Sequence, residues 1–314
     1  MHLRITHETR YDYTPAVETS QHLACLRPID TPGQQVLCHR LDIDPAPAQR
    51  SDGLDVYGNH RSFFALQAPH ELLRVTAVSE VLTQAPGVAD SAIAWEAVRE
   101  CFRYRAGAAY DPATEFIFPS PHVPRHEAFA AYARPSFTPG TPLLAAARDL
   151  MARIHADFTY AAQSTEVNTP ALEALAQRRG VCQDFAHIMI ASLRALGLAA
   201  RYVSGYLLTQ PPPGQPRLVG ADASHAWVAV YLPDLPGAED GRGWWDLDPT
   251  NHRDGWGSPG EDYVTLATGR DYSDIAPMRG VIQGGARHTL AVAVTVEPVN
   301  DTEPVSPPIA EAKP

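Results

Sequence analysis

Cysteine is scarce: four residues in 314. A chain of this length with so few cannot rest on a disulfide scaffold. Nothing approaches the ~20 consecutive apolar residues of a membrane helix. The opening Met1-His2-Leu3-Arg4-Ile5-Thr6-His7 carries no apolar segment of the kind a secretory signal needs. Positive charge is short too, with 25 Lys+Arg against 36 Asp+Glu and a net charge of −11. Without a basic stripe, nucleic acid and anionic membranes are poor partners. The expectation is a cytoplasmic protein with reduced thiols. Several chemical signatures are also missing. There is no C-x-x-C or H-E-x-x-H for zinc and no G-x-S-x-G for a serine hydrolase. Gly255-Trp256-Gly257-Ser258-Pro259-Gly260 has the letters of a dinucleotide fingerprint, but no strand precedes it and Pro259 spoils a following helix. No metal or cofactor is expected.

Charged residues make up 19% and hydrophobic residues 45%. That is the balance of a folded chain, and the length suits about two domains. Residues 1–84 read as β-rich, with period-two alternation from Leu3 to Tyr11 and shorter runs at Val36–Ile43, Ser62–Leu66 and Leu73–Val81. Residues 85–140 are crowded with proline and read as a connector with one short helix near Ala94–Tyr104. Residues 141–297 bring helices after Pro142, near Pro170–Gln177 and from Cys182 to Gly197. Strands follow at Ala200–Leu208, His225–Leu232, Trp244–Asp248 and His288–Val296. Residues 298–314, rich in proline and acid, read as a disordered tail.

Three stretches carry chemistry. In Arg179-Gly180-Val181-Cys182-Gln183-Asp184-Phe185, a glycine turn delivers a cysteine to the first turn of an amphipathic helix. The partial positive charge there stabilises a thiolate, the reactive form of the group. Most cysteines are simply packed, and Cys25, Cys38 and Cys101 are read that way. His225 opens a strand in Ser224-His225-Ala226-Trp227-Val228, where its ring can reach a neighbouring element. Asp248 closes a strand before Pro249, where a carboxylate can hold an imidazole in its working tautomer. Asp246 faces the same side, and parity alone does not choose between the two. His187, five residues after Cys182, turns away from the thiol and reads as a packing residue.

The ordered set resembles the transglutaminase-like superfamily, in particular its bacterial cysteine peptidases. The resemblance rests on Gly180–His187, Ala200-Arg201-Tyr202-Val203-Ser204-Gly205-Tyr206, Ser224–Val228 and Asp248-Pro249-Thr250-Asn251, and extends to Thr9–Tyr13, Leu26-Arg27-Pro28 and Tyr57-Gly58-Asn59. It implies an α+β fold, a papain/transglutaminase-like core with the nucleophile helix packed on an antiparallel sheet. An N-terminal β-sandwich-like domain precedes that core. It also implies Cys182 as nucleophile, His225 as base and Asp248, which precedes Pro-Thr, as the orienting acid. The backbone N–H of Cys182 is one oxyanion donor; Tyr160 and Gln163 are candidates for the second. Trp227 and Trp244, with Trp245, are candidate walls of a substrate site, and Gln210–Pro216 a candidate lid.

The implied reaction is acyl transfer through a thioester from a peptide or protein amide. The resemblance favours water over an amine as acceptor. Transglutaminase-type transfer to an amine, transfer from an acyl-coenzyme A, and a catalytically silent peptide-binding module stay open.

Overall fold

Alternation of buried and half-buried side chains from His2 to Thr9 opens the first strand, β1 (His2–Val17), whose inward residues begin Leu3, Ile5, His7 and Thr9. In the computed structural model, which describes residues 1–107, 110–161, 169–209 and 224–299, five more strands follow. They are β2 (Thr19–Ala24), β3 (Gln34–Asp44), β4 (Gln49–Leu54), β5 (His60–Leu66) and β6 (His70–Thr83). The connector holds α1 (Trp95–Cys101) and α2 (Glu127–Ala133). Then come α3 (Leu143–Asp157), β7 (Thr159–Tyr160), α4 (Ala171–Gln177), β8 (Arg179–Gly180) and α5 (Cys182–Ala195). The chain closes with β9 (Ala200–Leu207), β10 (Ser224–Tyr231), β11 (Trp244–Asp248), β12 (Arg253–Trp256), β13 (Tyr263–Gly269), α6 (Tyr272–Ile275), β14 (Met278–Gln283) and β15 (Arg287–Pro298).

Two four-stranded antiparallel sheets, ordered β15-β1-β6-β3 and β14-β2-β5-β4, form the expected N-terminal sandwich. Its interior is Tyr13, Leu41, Leu73 and Val75 from one sheet against Ala24, Phe64 and Leu66 from the other. The expected boundary at 297 needs correction. β15 pairs along β1 from Leu3↔Pro298 to Thr14↔Arg287, and β14 pairs with β2. The last two strands therefore belong to the sandwich, because its two opening strands still need an edge partner each. Of the 298–314 tail, residues 300–314 lie outside the described residues.

The second body is a five-stranded antiparallel sheet, β12-β11-β10-β9-β13. α5 packs on β9 and β10, and α2, α3 and α4 pack on α5. α5 ends in a Schellman motif, with Leu198 N–H on the Leu193 carbonyl (3.1 Å), Gly197 N–H on the Arg194 carbonyl (3.0 Å) and Gly197 at φ +81°. α2 was not foreseen in the proline-rich connector. It fits between prolines 124 and 135 and buries Phe129, Tyr132 and Ala133 under the helical layer.

The two bodies share one hydrophobic core: Leu3, Ile5 and Val81 of the sandwich cluster with residues of α3, α5 and the five-stranded sheet. Polar ties reinforce the seam. The side-chain amide of Gln34 bonds both the N–H and the carbonyl of Thr265, each at 2.8 Å. The amide of Asn59 does the same to Thr268, again at 2.8 Å. Two side chains thus stand where a further strand would pair, and they close the β13 edge. His7 of β1 meets the Tyr206 hydroxyl at 2.9 Å. No helix among the described residues is long and apolar enough to cross a membrane.

Candidate active site

Gly180 sits where no side chain fits: a Cβ there would lie 2.6 Å from Asp184 Oδ2. That carboxylate reaches back to accept the Val181 N–H at 2.8 Å, half of a capping box. The tight turn sets Cys182, a partly buried residue, as the first residue of α5. β7 lies parallel to β8, and the Ala161 N–H donates to the Gly180 carbonyl at 2.9 Å. This places Tyr160, 52% exposed, beside the turn that leads to Cys182. Gln163 and the 210–216 loop lie outside the described residues.

His225 is the second residue of β10, opposite Gly205 of β9. β10 pairs with β11 as Ala229↔Asp246 and Val228↔Leu247, so Asp248 runs toward the His225 end. His225 Nε2 is 2.7 Å from Asp248 Oδ2. The Cys182 side chain is a second hydrogen-bonding partner of the ring. Burial by itself would lower the His225 pKa, but the bonds to Asp248 and Cys182 override it and raise the group to about 10.

Asp248 is fully buried and fully satisfied. Oδ2 also accepts from the Tyr263 hydroxyl at 2.7 Å and from Asn251 Nδ2 at 2.8 Å, while Oδ1 accepts the N–H groups of Thr250 (2.8 Å) and Asn251 (3.2 Å). Burial would raise its pKa; these donors, His225 foremost, hold it below the usual carboxylate range. Pro249 makes the two backbone bonds possible by turning the chain directly after the carboxylate.

Asp246 has a different post. Its Oδ1 accepts from Trp227 Nε1 at 2.8 Å, and burial raises it to about 6 against the pull of Arg201 and Trp227.

Residues 3–82 match the bacterial transglutaminase-like N-terminal region, and residues 130–249 match the transglutaminase-like superfamily. An uncharacterised protein of Mycobacterium tuberculosis is 43% identical over 94% of this chain and 92% of its own length. Another, from Mycobacterium leprae, is 34% identical over 94% of this chain and 98% of its own. The chain belongs to the transglutaminase-like superfamily. Its fold is also that of a protein described as "a Putative Cysteine Protease from Cytophaga hutchinsonii", with a TM-score of 0.69, 21% identity, and coverage of 96% of this chain and 92% of that one.

The transglutaminase-like match spans Cys182, His225 and Asp248 and stops one residue later. Asn251 and Tyr263, which grip Asp248, lie beyond it. Asn251 stands in a quoted motif without an assigned role; Tyr263 has no local signal, because only the sheet brings β13 round to β11.

Two expected walls need correction. Trp227 is 0% exposed, with its ring 5.5 Å from Tyr263 and against Gly205, where a Cβ would come within 2.5 Å of it. It supports the sheet beneath His225 and lines no open site. Trp244 pairs with Tyr231, at the end of β10 remote from His225, and faces a separate cavity. His187 is a buried helix-packing residue, accepting the Tyr272 N–H at 3.3 Å and stacking on His122 at 5.2 Å. Among the described residues no cluster of three or more His, Cys, Asp or Glu side chains has the arrangement of a metal site.

Proposed function

We propose that the protein is a cysteine-dependent amide hydrolase acting on peptide or protein substrates through a thioester. Cys182 is the nucleophile, His225 the general base and acid, and Asp248 the orienting acid. The observation that supports this reading is the continuous contact from Cys182 through His225 to Asp248. An imidazolium beside a sulfur at a helix start is the setting in which a thiolate persists.

The sulfur attacks the substrate carbonyl. The negative oxygen meets first-turn N–H groups of α5, which have no intrahelical acceptor, with Tyr160 as the proposed second donor. When the C–N bond breaks, His225 hands its proton to the departing amine. A water then gives a proton to His225 and adds to the thioester carbonyl. The C–S bond breaks, the acid leaves, and the thiolate–imidazolium pair is restored. Throughout, Asp248 keeps Nε2–H engaged so that Nδ1 faces the sulfur. Water is the proposed acceptor because Cys182 is only partly buried. The four unpaired cysteines, two of them exposed, suit a reducing, cytoplasmic setting.

The test is an acid-quenched reaction with a library of glutamine- and isopeptide-bearing peptides, read by intact mass. A thioester adduct on Cys182, absent from Cys182→Ala and resolving to a free acid, is expected. Resolution only when a primary amine is added would overturn hydrolysis; no adduct under any condition would overturn the enzyme reading.

A further inference from the structure

A cavity of about 910 Å³ lies away from Cys182, where the Tyr57 loop of the sandwich and the 110–116 segment meet the far end of the five-stranded sheet. Tyr231 and Trp244 mark that end of β10 and β11. Six residues of strand separate Tyr231 from His225, roughly 20 Å at the usual rise. The volume is within the range of sites that enclose small molecules.

Its walls are aromatic. Phe116 stands edge-on to Trp244 at 5.2 Å, Tyr231 meets Trp244 at 5.3 Å, and Tyr57 packs on Phe116 at 5.5 Å. Arg201 completes the lining, its guanidinium carbon 4.3 Å from the Trp244 ring centroid. The Nε of Arg201 is buried and has no hydrogen-bond partner among the described residues. The acid that influences it, Asp246, has an oxygen committed to Trp227. A desolvated guanidinium with an unmet donor is costly to keep. Arg201 lines the cavity, and the planar fork of a guanidinium fits the two oxygens of an incoming carboxylate. The other charges on the lining, Asp111, Glu115 and Glu239, are acidic. They repel a second negative charge on the ligand and accept a positive one.

We infer that this cavity is a binding site for a monocarboxylate with an aromatic or branched apolar body, the carboxylate on Arg201 and the body among Phe116, Tyr231 and Trp244. An apolar α-amino acid and the C-terminal residue of a peptide share this chemistry. The site stands apart from the cysteine reading: it needs neither Cys182 nor His225.

The experiment is titration calorimetry on the full chain with four probes: L-phenylalanine, phenethylamine, Gly-Gly-Phe and Gly-Gly-Phe amide. At least one of the two acids binds at millimolar concentration or better, and its counterpart without the carboxylate binds at least tenfold more weakly. Binding by phenylalanine alone, or by the tripeptide alone, identifies the source. Arg201→Met lowers acid binding at least tenfold, whereas Cys182→Ala leaves it unchanged. The inference is overturned if neither acid binds, if the amine and the amide match the acids, or if a folded Arg201→Met protein binds as well as the parent. Should Arg201→Met fail to fold, the probe series on the parent protein still decides.

Discussion

Replacing Asp248 with Asn changes one atom and tests how the His225 charge is set. In the native site Oδ2 collects three side-chain donors, from His225 (2.7 Å), Tyr263 (2.7 Å) and Asn251 (2.8 Å), and Oδ1 collects two backbone donors. An amide keeps only one acceptor oxygen. If that oxygen takes the backbone pair, the new NH₂ faces three donors. Tyr263 can turn its hydroxyl and His225 can lose a proton, but the Asn251 amide has no such escape. One buried donor left unmet costs ~1–3 kcal/mol, so the variant folds with reduced stability. The chemical consequence is larger. Burial lowers the His225 pKa, and Asp248 is the foremost group opposing it. Without that charge the imidazole is neutral at mildly acid pH, and the sulfur loses its positive neighbour. The assay is iodoacetamide labelling at about pH 6 with adducts mapped by mass spectrometry. Cys38 and Cys101 are exposed references, and Cys25, buried and pushed up to about 11 by desolvation, is a silent one. In the parent, Cys182 labels ahead of all three. In Asp248→Asn it falls to the rate of the exposed pair. Labelling at the parental rate, with an unchanged circular dichroism spectrum, would refute the claim that Asp248 holds the proton on His225.

Three further outcomes are expected. Folded His225 keeps its proton to about pH 10, while in the unfolded chain it leaves near 6.5. Its contribution to stability is therefore whole below about pH 6.5 and is lost as pH rises through about 10; urea midpoints across that window should fall, and His225→Asn should flatten the fall. Asn59→Ala strips both partners from the buried backbone of Thr268 and should cost about 2–4 kcal/mol in denaturant unfolding. A loss below ~0.5 kcal/mol would show that water replaces the amide. Gly180→Ala sets a methyl against Asp184 and should open the turn, dropping Cys182 labelling toward that of the exposed thiols; full labelling with native stability would show that the turn absorbs the methyl.

Local signals carried the segment around Cys182 well. The apolar spacing from Phe185 to Leu196 and the glycine at 197 mark a helix that the structure bounds at Cys182 and Ala195. β11 spans the expected residues, Trp244 to Asp248. Elsewhere the period-two signal failed for identifiable reasons. β4 is exposed throughout, so it has no alternation to show. β13 is buried throughout, which erases alternation in the opposite way. α2 is a two-turn element between prolines, too short to show a period.

The order of Cys182, His225 and Asp248, each at the start or end of its own element, was determined by the sequence, because glycine turns, helix starts and a strand closed by proline are local events. Which acid meets the histidine was a tertiary decision. Asp246 and Asp248 share one parity, and only the β10–β11 register sends the first to Trp227 and the second to His225. Tertiary packing also decided that Trp227 is core and that β14 and β15 complete the N-terminal sandwich. It placed Arg201, with its Nε unbonded, against Trp244 in a cavity remote from the cysteine. Each of these depends on pairings between residues far apart in the chain, and such pairings leave no period or motif along it.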